Sequence, residues 1–475
     1  MSYAFEALPR GFSDLVGTEA ARGVWAESMF RSVTGSFGFA PVTVAPVGYA
    51  ETFERFGSAA TGRIFTFEDL SGRRLALTAD SLVAVLRALA GSGRLTGDAS
   101  VLGAACVPIA RYRRKRHRGW SQAVAVICNE SDELAADLTL LRLWAALFEI
   151  LGPTAGGRLE YCDYGVLDAI ATDEGLSPAA ARTALHRRRR GLAKPPSGEA
   201  GDARDTEEAR GTDDARGTDD ARDTEEARGT DDARDPGDAA DTGDIAEGGE
   251  PDATAPNADR FLRRLDRVSA LCRGLPLEEA PDRVAEAEPV TGERMAHLRT
   301  VLTIAHEMEV SVEFGLDWEH APEYQAGLCF RARTGDGRTL GDGGGYHHMV
   351  RTLDIGLSRC WSTSASVNLL AELGPVPETE CVHLMRMPSA DLRTFMAAAR
   401  RLRAAGYDVL EHWRPRRLGR QLRRVPAQPS QWFALVGEKE AATGRLTLQN
   451  AAAVGVTKTV DLGAVPEPAE AGHQV

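Results

Sequence analysis

A six-residue repeat divides this chain into two parts that can build a core and one that cannot. Arginine recurs every six residues, in units of the form A-R-[GD]-T-[DE]-[DE], at positions 204, 210, 216, 222, 228 and 234. A period of six advances a helix by about 600°, so the charged side chains would spiral around it and form no stripe. The repeat also offers almost no large apolar side chains to bury. We therefore predict that residues 191–257 are a disordered acidic insert.

The same segment carries most of the net charge. Residues 199–252 hold 21 Asp or Glu and 6 Arg, a charge of −15. Because the net charge of the whole chain is −13, the remaining residues together carry a charge of +2. A nearly neutral folded part leaves a nucleic-acid partner possible despite the acidic total. The basic run from His186 to Arg190 is interpreted as the charged end of the linker, with an RNA contact as the alternative.

Composition indicates a water-soluble protein of two or three domains. A chain of 475 residues exceeds the size of one hydrophobic core. No apolar run approaches the roughly 20 residues that span a bilayer, and the first residues lack the pattern of a signal peptide, so we expect a cytoplasmic location and no membrane contact. The seven cysteines contain no C-x-x-C pair. They are predicted to be reduced thiols, with no metal site and no disulfide framework.

The stretch from Cys106 to Glu130 predicts an antiparallel hairpin, because two apolar runs enclose a polar, glycine-containing loop. Arg111 would stand at the end of its first strand. A planar, permanently charged guanidinium at that place suits a bidentate contact with phosphate. The alternative is that the basic residues from Arg111 to Arg118 are only a solvated hairpin tip.

Several motifs around the hairpin resemble those of histidyl-tRNA synthetases. The segment L-P-R-G-F-S-D-L (Leu8 to Leu15) is similar to the opening of that family, G-F-A-P-V-T-V-A-P-V (Gly38 to Val47) to its first motif, and the hairpin to its second. The stretch from Arg63 to Ser81 resembles a strand pair that ends in an acidic residue. The chain thus resembles a divergent histidyl-tRNA synthetase paralogue of class II, a group related also to the regulatory subunit of ATP phosphoribosyltransferase.

The resemblance implies an α+β fold, with an antiparallel sheet flanked by helices and a C-terminal α/β domain like the anticodon-binding domain. It implies a catalytic-like domain in two halves, residues 1–190 and 258–373, separated by the insert. Residues 374–463 would form the anticodon-binding-like domain, and 464–475 a flexible tail. Within the second half, Ser364 to Leu373 is expected to be a helix. Class II cores of this kind imply a homodimer.

The resemblance also assigns roles to residues. Arg111 of the second motif, and Arg359 in a third motif from Asp354 to Trp361 that is expected to lead from a strand into a helix, would clamp ATP, with Mg²⁺, as catalytic residues. Asp80 would bind a substrate amino group. The remaining substrate-binding residues would come from a tyrosine-containing strand and a glycine-rich strand: Tyr324, Gly327, Gly343, Gly344 and Gly345.

Departures from the family pattern remove most contacts to histidine. Ala125 and Asn129 replace a Gln and a Glu, Gln325 replaces the second tyrosine, and Tyr346 replaces the arginine of the glycine-rich strand. A site that hydrogen-bonds a polar side chain loses discrimination with each missing partner. The substrate is therefore not necessarily histidine. His347 and His348 are possible acid–base groups, but they lack a third ligand at metal-binding spacing.

Three hypotheses follow from this sequence. The first is ATP-dependent activation of an amino acid as its adenylate, with transfer to tRNA or another acceptor. The second is a catalytically inactive regulatory or amino-acid-sensing subunit. The third is RNA binding through a basic face of the C-terminal domain. That face would comprise arginines 401, 403, 414, 416, 417, 420, 423 and 424, with a merely solvated helix face as the alternative.

A long helix from Ser131 to Gly152 is predicted from its ends and its periodicity. Ser131 is the expected N-cap and Gly152 ends the helix. Apolar residues recur at helical spacing and predict the face that packs on the core: Leu134, Leu138, Leu141, Trp144, Ala145 and Phe148.

Overall fold

The computed structural model describes residues 8–55, 63–95, 99–112, 117–189, 255–272, 275–316, 325–375, 380–414, 418–423 and 425–462. The predicted insert therefore lies largely outside the described residues. The chain divides into two units, Met1–Pro375 and Val376–Val475. No helix among the described residues is long and apolar enough to cross a membrane.

The larger unit is built on an eight-stranded sheet. Its strands are β1 (Ala40–Pro41), β5 (Val101–Ala110), β6 (Gly119–Cys128), β7 (Arg158–Asp163), β8 (Val312–Phe314), β9 (Ala326–Arg333), β10 (Thr339–Gly345) and β11 (Cys360–Ser366). They are ordered β1-β5-β6-β11-β10-β9-β7-β8. The six central strands pair antiparallel, and the edge strands β1 and β8 pair parallel with their neighbours. The three remaining strands form a small antiparallel sheet: β2 (Val47–Tyr49), β3 (Thr66–Glu68) and β4 (Arg74–Leu77).

The helices cover both faces of the large sheet. In chain order they are α1 (Thr18–Ser36), α2 (Ala50–Glu54), α3 (Ser81–Gly91), α4 (Glu133–Leu151), α5 (Tyr164–Asp173), α6 (Pro178–Arg189), α7 (Ala255–Cys272), α8 (Ala280–Ala287), α9 (Gly292–Glu307), α10 (His347–Leu353) and α11 (Val367–Leu373). Side chains of β6 alternate between the two faces. Ala123 and Ala125 join a core with α1, α4 and α9, whereas Val124 and Val126 join one with α3 and α10. We call these the α4 face and the α3 face.

Helix α4 shows how the sequence pattern specifies the packing. Of the six residues predicted to pack on the core, Leu141 and Trp144 are fully buried and the other four only partly. The fully buried face also includes three leucines outside that prediction: Leu140, Leu143 and Leu147. The Trp144 ring nitrogen donates to Thr363 Oγ1 at 2.8 Å. The predicted N-cap is wrong by one residue, because Asp132 and not Ser131 accepts the first helical N–H groups, from Leu134 at 3.0 Å and Ala135 at 3.2 Å. An aspartate carboxylate at this position also favours the positive end of the helix dipole.

The smaller unit is a five-stranded mixed sheet ordered β13-β12-β14-β15-β16. Its strands are β12 (Cys381–Arg386), β13 (Asp408–His412), β14 (Gln431–Val436), β15 (Arg445–Asn450) and β16 (Thr457–Asp461), and its helices are α12 (Leu392–Ala404), α13 (Leu418–Leu422) and α14 (Glu438–Thr443). The predicted α+β class is confirmed. Of the arginines expected to form a basic face, Arg403 pairs with Glu411 at 2.6 Å, and Arg416, Arg417 and Arg424 lie outside the described residues.

Candidate functional site

Arg111 lies where the sequence predicts, immediately after β5, but its guanidinium already has partners. It donates to the carbonyl oxygen of Ala79 and, at 2.5 Å, to Oδ2 of Asp80. Asp80 is the N-cap of α3 and its other oxygen accepts from Val83 N at 3.1 Å. The two residues expected to bind ATP and a substrate amino group are therefore bound to each other.

The structure does not bring Arg111 and Arg359 together. The backbone of Arg111 bonds to Arg118, at the start of β6, whereas the carbonyl of Arg359 accepts from Asn129 N at the end of β6. Ten residues of β6 separate these ends, a distance of about 30 Å at 3.3 Å per residue. The Arg359 guanidinium donates to the carbonyl of Ser131 at 2.7 Å. A clamp of these two arginines on one nucleotide does not fit this register.

The predicted strand and helix of the third motif are displaced along the chain. Arg359 precedes strand β11, and the strand leads into helix α11, whose N-cap is Ser366. The expected helix from Ser364 is thus strand for its first three residues. Residues 367–373 contain no arginine. The position at the helix start that the family pattern reserves for an ATP-binding arginine has no such side chain here.

A directional chain of hydrogen bonds crosses the α3 face of the sheet. Ser81 Oγ donates to Gln122 Oε1 at 3.1 Å, Gln122 Nε2 donates to Ser364 Oγ at 2.9 Å, and Ser364 Oγ donates to Asp342 Oδ1 at 2.8 Å. These groups come from α3, β6, β11 and β10. Each fixes the orientation of the next, and the chain ends on a carboxylate, so it positions Asp342.

Asp342 borders a cavity of about 290 Å³ above β7, β9 and β10. The wall contains carboxylates, guanidinium groups, aromatic rings and two thiols: Glu160, Tyr161, Cys162, Tyr164, Glu313, Phe314, Gly315, Gln325, Cys329, Phe330, Arg331, Arg333 and Asp342. Arg333 Nε pairs with Glu160 at 2.9 Å, which fixes one part of the wall. Both charge signs in one small cavity suit a small zwitterionic ligand.

Tyr346 and Gln325, two of the residues that depart from the family pattern, lie beside this cavity. The Gln325 side chain, which is buried, hydrogen-bonds Tyr346. Burial and the neighbouring charge of Asp342 raise the pKa of Tyr346 well above its usual value, so its hydroxyl stays neutral. Tyr324, predicted to bind substrate, lies outside the described residues.

The glycine-rich strand is packed against protein, not against the cavity. A Cβ on Gly343 would lie 2.6 Å from the Phe330 ring, one on Gly344 2.6 Å from Cys329 Cα, and one on Gly345 2.2 Å from the carbonyl oxygen of Ala326. Gly344 also has φ +135°, which favours glycine. Of the described residues lining the cavity, none is one of these three glycines. They permit close pairing of β10 with β9 at an irregular register.

Gly327 makes room for an ion pair. It has φ +64°, and an added Cβ would lie 2.7 Å from Glu133 Oε1. That carboxylate pairs with Arg294 at 2.6 Å, and Arg294 also contacts Asp163 at 3.0 Å. Because Asp163 is fully buried, Arg294 compensates a charge in the interior and joins α9 to β7 and α4.

The two histidines beside the glycine strand contact other groups of the protein. His347 Nδ1 accepts from the backbone N–H of Cys360 at 3.1 Å, and its ring meets Trp361 edge-on. Burial lowers the pKa of His347 to about 4, so the ring is neutral and its Nδ1 remains an acceptor. His348 Nε2 lies 3.8 Å from Asp168, which binds Arg182 more closely.

A buried proton-sharing pair lies on the α4 face. His297 Nε2 is 2.8 Å from Asp137 Oδ2, and burial raises the pKa of Asp137 to about 7 against the opposing effect of His297. Burial lowers the pKa of His297, but its hydrogen bond to Asp137 and the charge of Asp137 outweigh burial, so that the pKa is raised overall. Glu133 lies near enough to complete a three-residue cluster, but Arg294 already binds it.

The pKa values of Asp137 and His297 are both raised in the folded protein. The folded protein therefore holds a proton that the unfolded chain releases. We expect the free energy of unfolding to fall as pH rises through about 7, by up to about 1 kcal/mol per pH unit. Urea unfolding at several pH values from about 6 to 8 measures the slope. Asp137→Asn should flatten it, whereas His306→Gln, at an exposed position of the same helix, should leave it unchanged. Equal slopes in wild type and Asp137→Asn would contradict this assignment.

Comparisons with known proteins support the fold, and a family model matches the N-terminal part of the sequence. Residues 11–194 match the family model "Histidyl-tRNA synthetase". A histidine–tRNA ligase of Nostoc punctiforme is 25% identical over 199 residues, which cover 39% of this chain and 40% of that relative. One of Trichormus variabilis is 25% identical over 153 residues, covering 30% and 32%. The matched stretch thus spans about a third to two fifths of these curated relatives.

Solved structures extend the likeness along most of the chain. A histidyl-tRNA synthetase of Nostoc sp. PCC 7120 superimposes with a TM-score of 0.67 at 15% identity, covering 96% of this chain and 97% of that one. An ATP phosphoribosyltransferase regulatory subunit/histidyl-tRNA synthetase of Bacillus halodurans C gives 0.60 at 15% identity, covering 87% and 94%. The class II synthetase fold and the resemblance predicted from the sequence are confirmed.

Proposed function

We propose that this chain, a divergent histidyl-tRNA synthetase-like paralogue, binds an amino acid or a related small zwitterion without activating it. The observation that carries this proposal is the register of β6, which separates Arg111 from Arg359. Adenylate formation needs fixed cationic donors around the α-phosphate. Of the two arginines predicted for that task, one is bound to Asp80 and the other is at the opposite end of the sheet.

The residues present do not fit the ATP and Mg²⁺ that the fold family implies. Arg111 would have to release Asp80 before it could hold phosphate, and the start of α11 supplies no arginine. Activation of an amino acid, the first hypothesis from the sequence, is therefore the second candidate. The Arg111 position after β5 is what supports it.

The cavity supports binding of a small zwitterion. Its volume of about 290 Å³ is near the lower end for ligand sites, which suits a ligand the size of an amino acid. Asp342, oriented by the hydrogen-bond chain, would accept from an ammonium group. Arg331 lies beside Asp342 in register on β9 and could face a carboxylate. Charged groups of both signs would orient the ligand.

A sensing role agrees with the structural likeness to the Bacillus halodurans C protein, an ATP phosphoribosyltransferase regulatory subunit/histidyl-tRNA synthetase. In such a role the chain would pass information about ligand occupancy to a partner enzyme. Assembly as a homodimer, a cytoplasmic location and a tRNA contact of the smaller unit stay predictions from the resemblance.

Thermal unfolding in the presence of each of the twenty amino acids tests the proposal. A ligand that binds only the folded state at 100 times its Kd adds about 2.7 kcal/mol of stability, which raises the Tm by several degrees. We expect a small subset to do so, and Asp342→Asn to abolish the shift.

Asp336→Asn is the matched control for this experiment. It lies in the exposed turn that precedes β10 and pairs with Arg338, so the shift should persist in this variant. No shift with any amino acid, or a shift that Asp342→Asn retains, would contradict the proposal.

A further inference from the structure

Two pairs of cysteines face each other across neighbouring strands of the large sheet. Cys162 of β7 is directly opposite Cys329 of β9, and Cys128 of β6 is directly opposite Cys360 of β11. Opposed residues of antiparallel strands have Cα atoms about 4.5 or 5.5 Å apart. Both values lie within the range of roughly 4.4–6.8 Å that a disulfide spans.

The two pairs differ in access. Cys162 and Cys329 both line the cavity, and Cys162 is partly exposed. Cys128 and Cys360 are fully buried between the sheet and α3. A small reagent can therefore reach the first pair through the cavity, whereas the second pair has the same strand geometry without that route.

We propose that Cys162 and Cys329 form an oxidisable dithiol, a modification site in the cavity wall that takes small peroxides. Cys162 reacts first because it is the more exposed of the two. Its thiolate attacks one oxygen of hydrogen peroxide, which gives a sulfenic acid and releases hydroxide. The Cys329 sulfur then attacks the Cys162 sulfur, the S–S bond forms, and the hydroxyl group leaves as water with the proton of the Cys329 thiol.

The environment of Cys329 determines the order of these steps. Burial, with the neighbouring Cys162 as a further contribution, raises the pKa of Cys329 well above its ordinary value. A buried thiol of that kind is a poor first nucleophile towards peroxide, because the thiolate is the reactive form. Next to a sulfenic acid on the opposite strand it needs no diffusion to react. The link would join β7 to β9 beneath the proposed ligand and alter the wall that the ligand meets.

Peptide mapping of the folded full-length protein after brief treatment with hydrogen peroxide tests the inference. Wild type should yield a linked peptide that contains Cys162 and Cys329, with the loss of two hydrogen atoms, and dithiothreitol should reverse it. Cys128 and Cys360 should remain thiols. In Cys329→Ser the second thiol is missing, so the sulfenic acid on Cys162 cannot form the disulfide and dimedone should trap it there.

The readout requires no bound amino acid, so a failure of the proposed function would leave it interpretable. Cys128→Ser, a matched substitution in the inaccessible pair, should leave the Cys162–Cys329 link unchanged. A link confined to Cys128 and Cys360, or peroxide treatment that leaves Cys162 and Cys329 unlinked in wild type, would overturn the inference.

Discussion

Replacement of Arg294 by methionine should lower the free energy of unfolding by about 3–5 kcal/mol, the cost of leaving a buried charge without its partner. Arg294 Nε and Nη2 contact the two oxygens of Asp163 at 3.1 and 3.2 Å, and Nη1 contacts Glu133 at 2.6 Å. Methionine retains most of the apolar stem of arginine, so the decrease in the free energy of unfolding reflects the lost charge more than lost packing. Chemical denaturation in urea measures it.

The pH dependence of this loss separates charge from packing. Burial raises the pKa of Asp163 even with Arg294 present, because the lowering effect of the guanidinium does not fully offset it. Without Arg294 the folded-state pKa rises further. Protonation at low pH then relieves the buried charge, so the variant should recover stability as pH falls and lose it as pH rises.

Arg299→Met provides the matched control on the same helix. Arg299 pairs with Asp282, and both side chains are about half exposed, so the pair is screened by water. Such pairs contribute about 0–1 kcal/mol. Equal losses for the Arg294 and Arg299 variants, or a loss at position 294 that does not change with pH, would contradict the role assigned to Arg294.

The hairpin and the helix that follows it were predictable because local chemistry specifies them. Two apolar runs around a glycine-containing loop give β5 and β6, paired along their full length from Val101 opposite Cys128 to Ala110 opposite Gly119. A 3.6-residue apolar period gives α4, with Trp144 in the core. These signals require only neighbouring residues.

The third motif was placed wrongly because the strand that carries it has an unusual composition. The segment C-W-S-T-S-A-S of β11 is poor in large apolar residues, and Ser362 and Ser364 are on the α3 face, where the hydrogen-bond chain runs. A strand that presents hydroxyl groups to a polar site gives little hydrophobic alternation. The more apolar D-I-G-L segment before it resembled a strand, and the structure makes it a turn after α10.

The hydrogen-bond chain itself could not be read from the sequence. Gln122, Ser364 and Asp342 are far apart along the chain and meet only through the pairing of β6, β11 and β10. A lone aspartate among the glycines of β10 was the available signal. The glycines beside it indicated a backbone accessible to ligand, but the structure shows them in contact with the neighbouring strands. A glycine indicates that another group lies close to the backbone, but not whether that group is a ligand or a neighbouring strand.

Pyrophosphate exchange, measured with each amino acid, with and without tRNA, tests the central claim most directly. The assay detects reversible adenylate formation and requires both an amino acid and a nucleotide site. Because Arg111 is bound to Asp80 and Arg359 lies about 30 Å away along β6, we expect no exchange above the no-enzyme background. We expect no exchange even with the amino acids that stabilise the protein in thermal unfolding.

The control for that result is binding by the same preparation. A protein that shows an amino-acid-dependent rise in Tm, lost in Asp342→Asn, is folded and competent to bind. If that protein shows no pyrophosphate exchange, it binds the amino acid without forming the adenylate. Binding without exchange is the result predicted here. Exchange that depends on an amino acid and is abolished by Arg111→Ala and by Arg359→Ala would contradict the account.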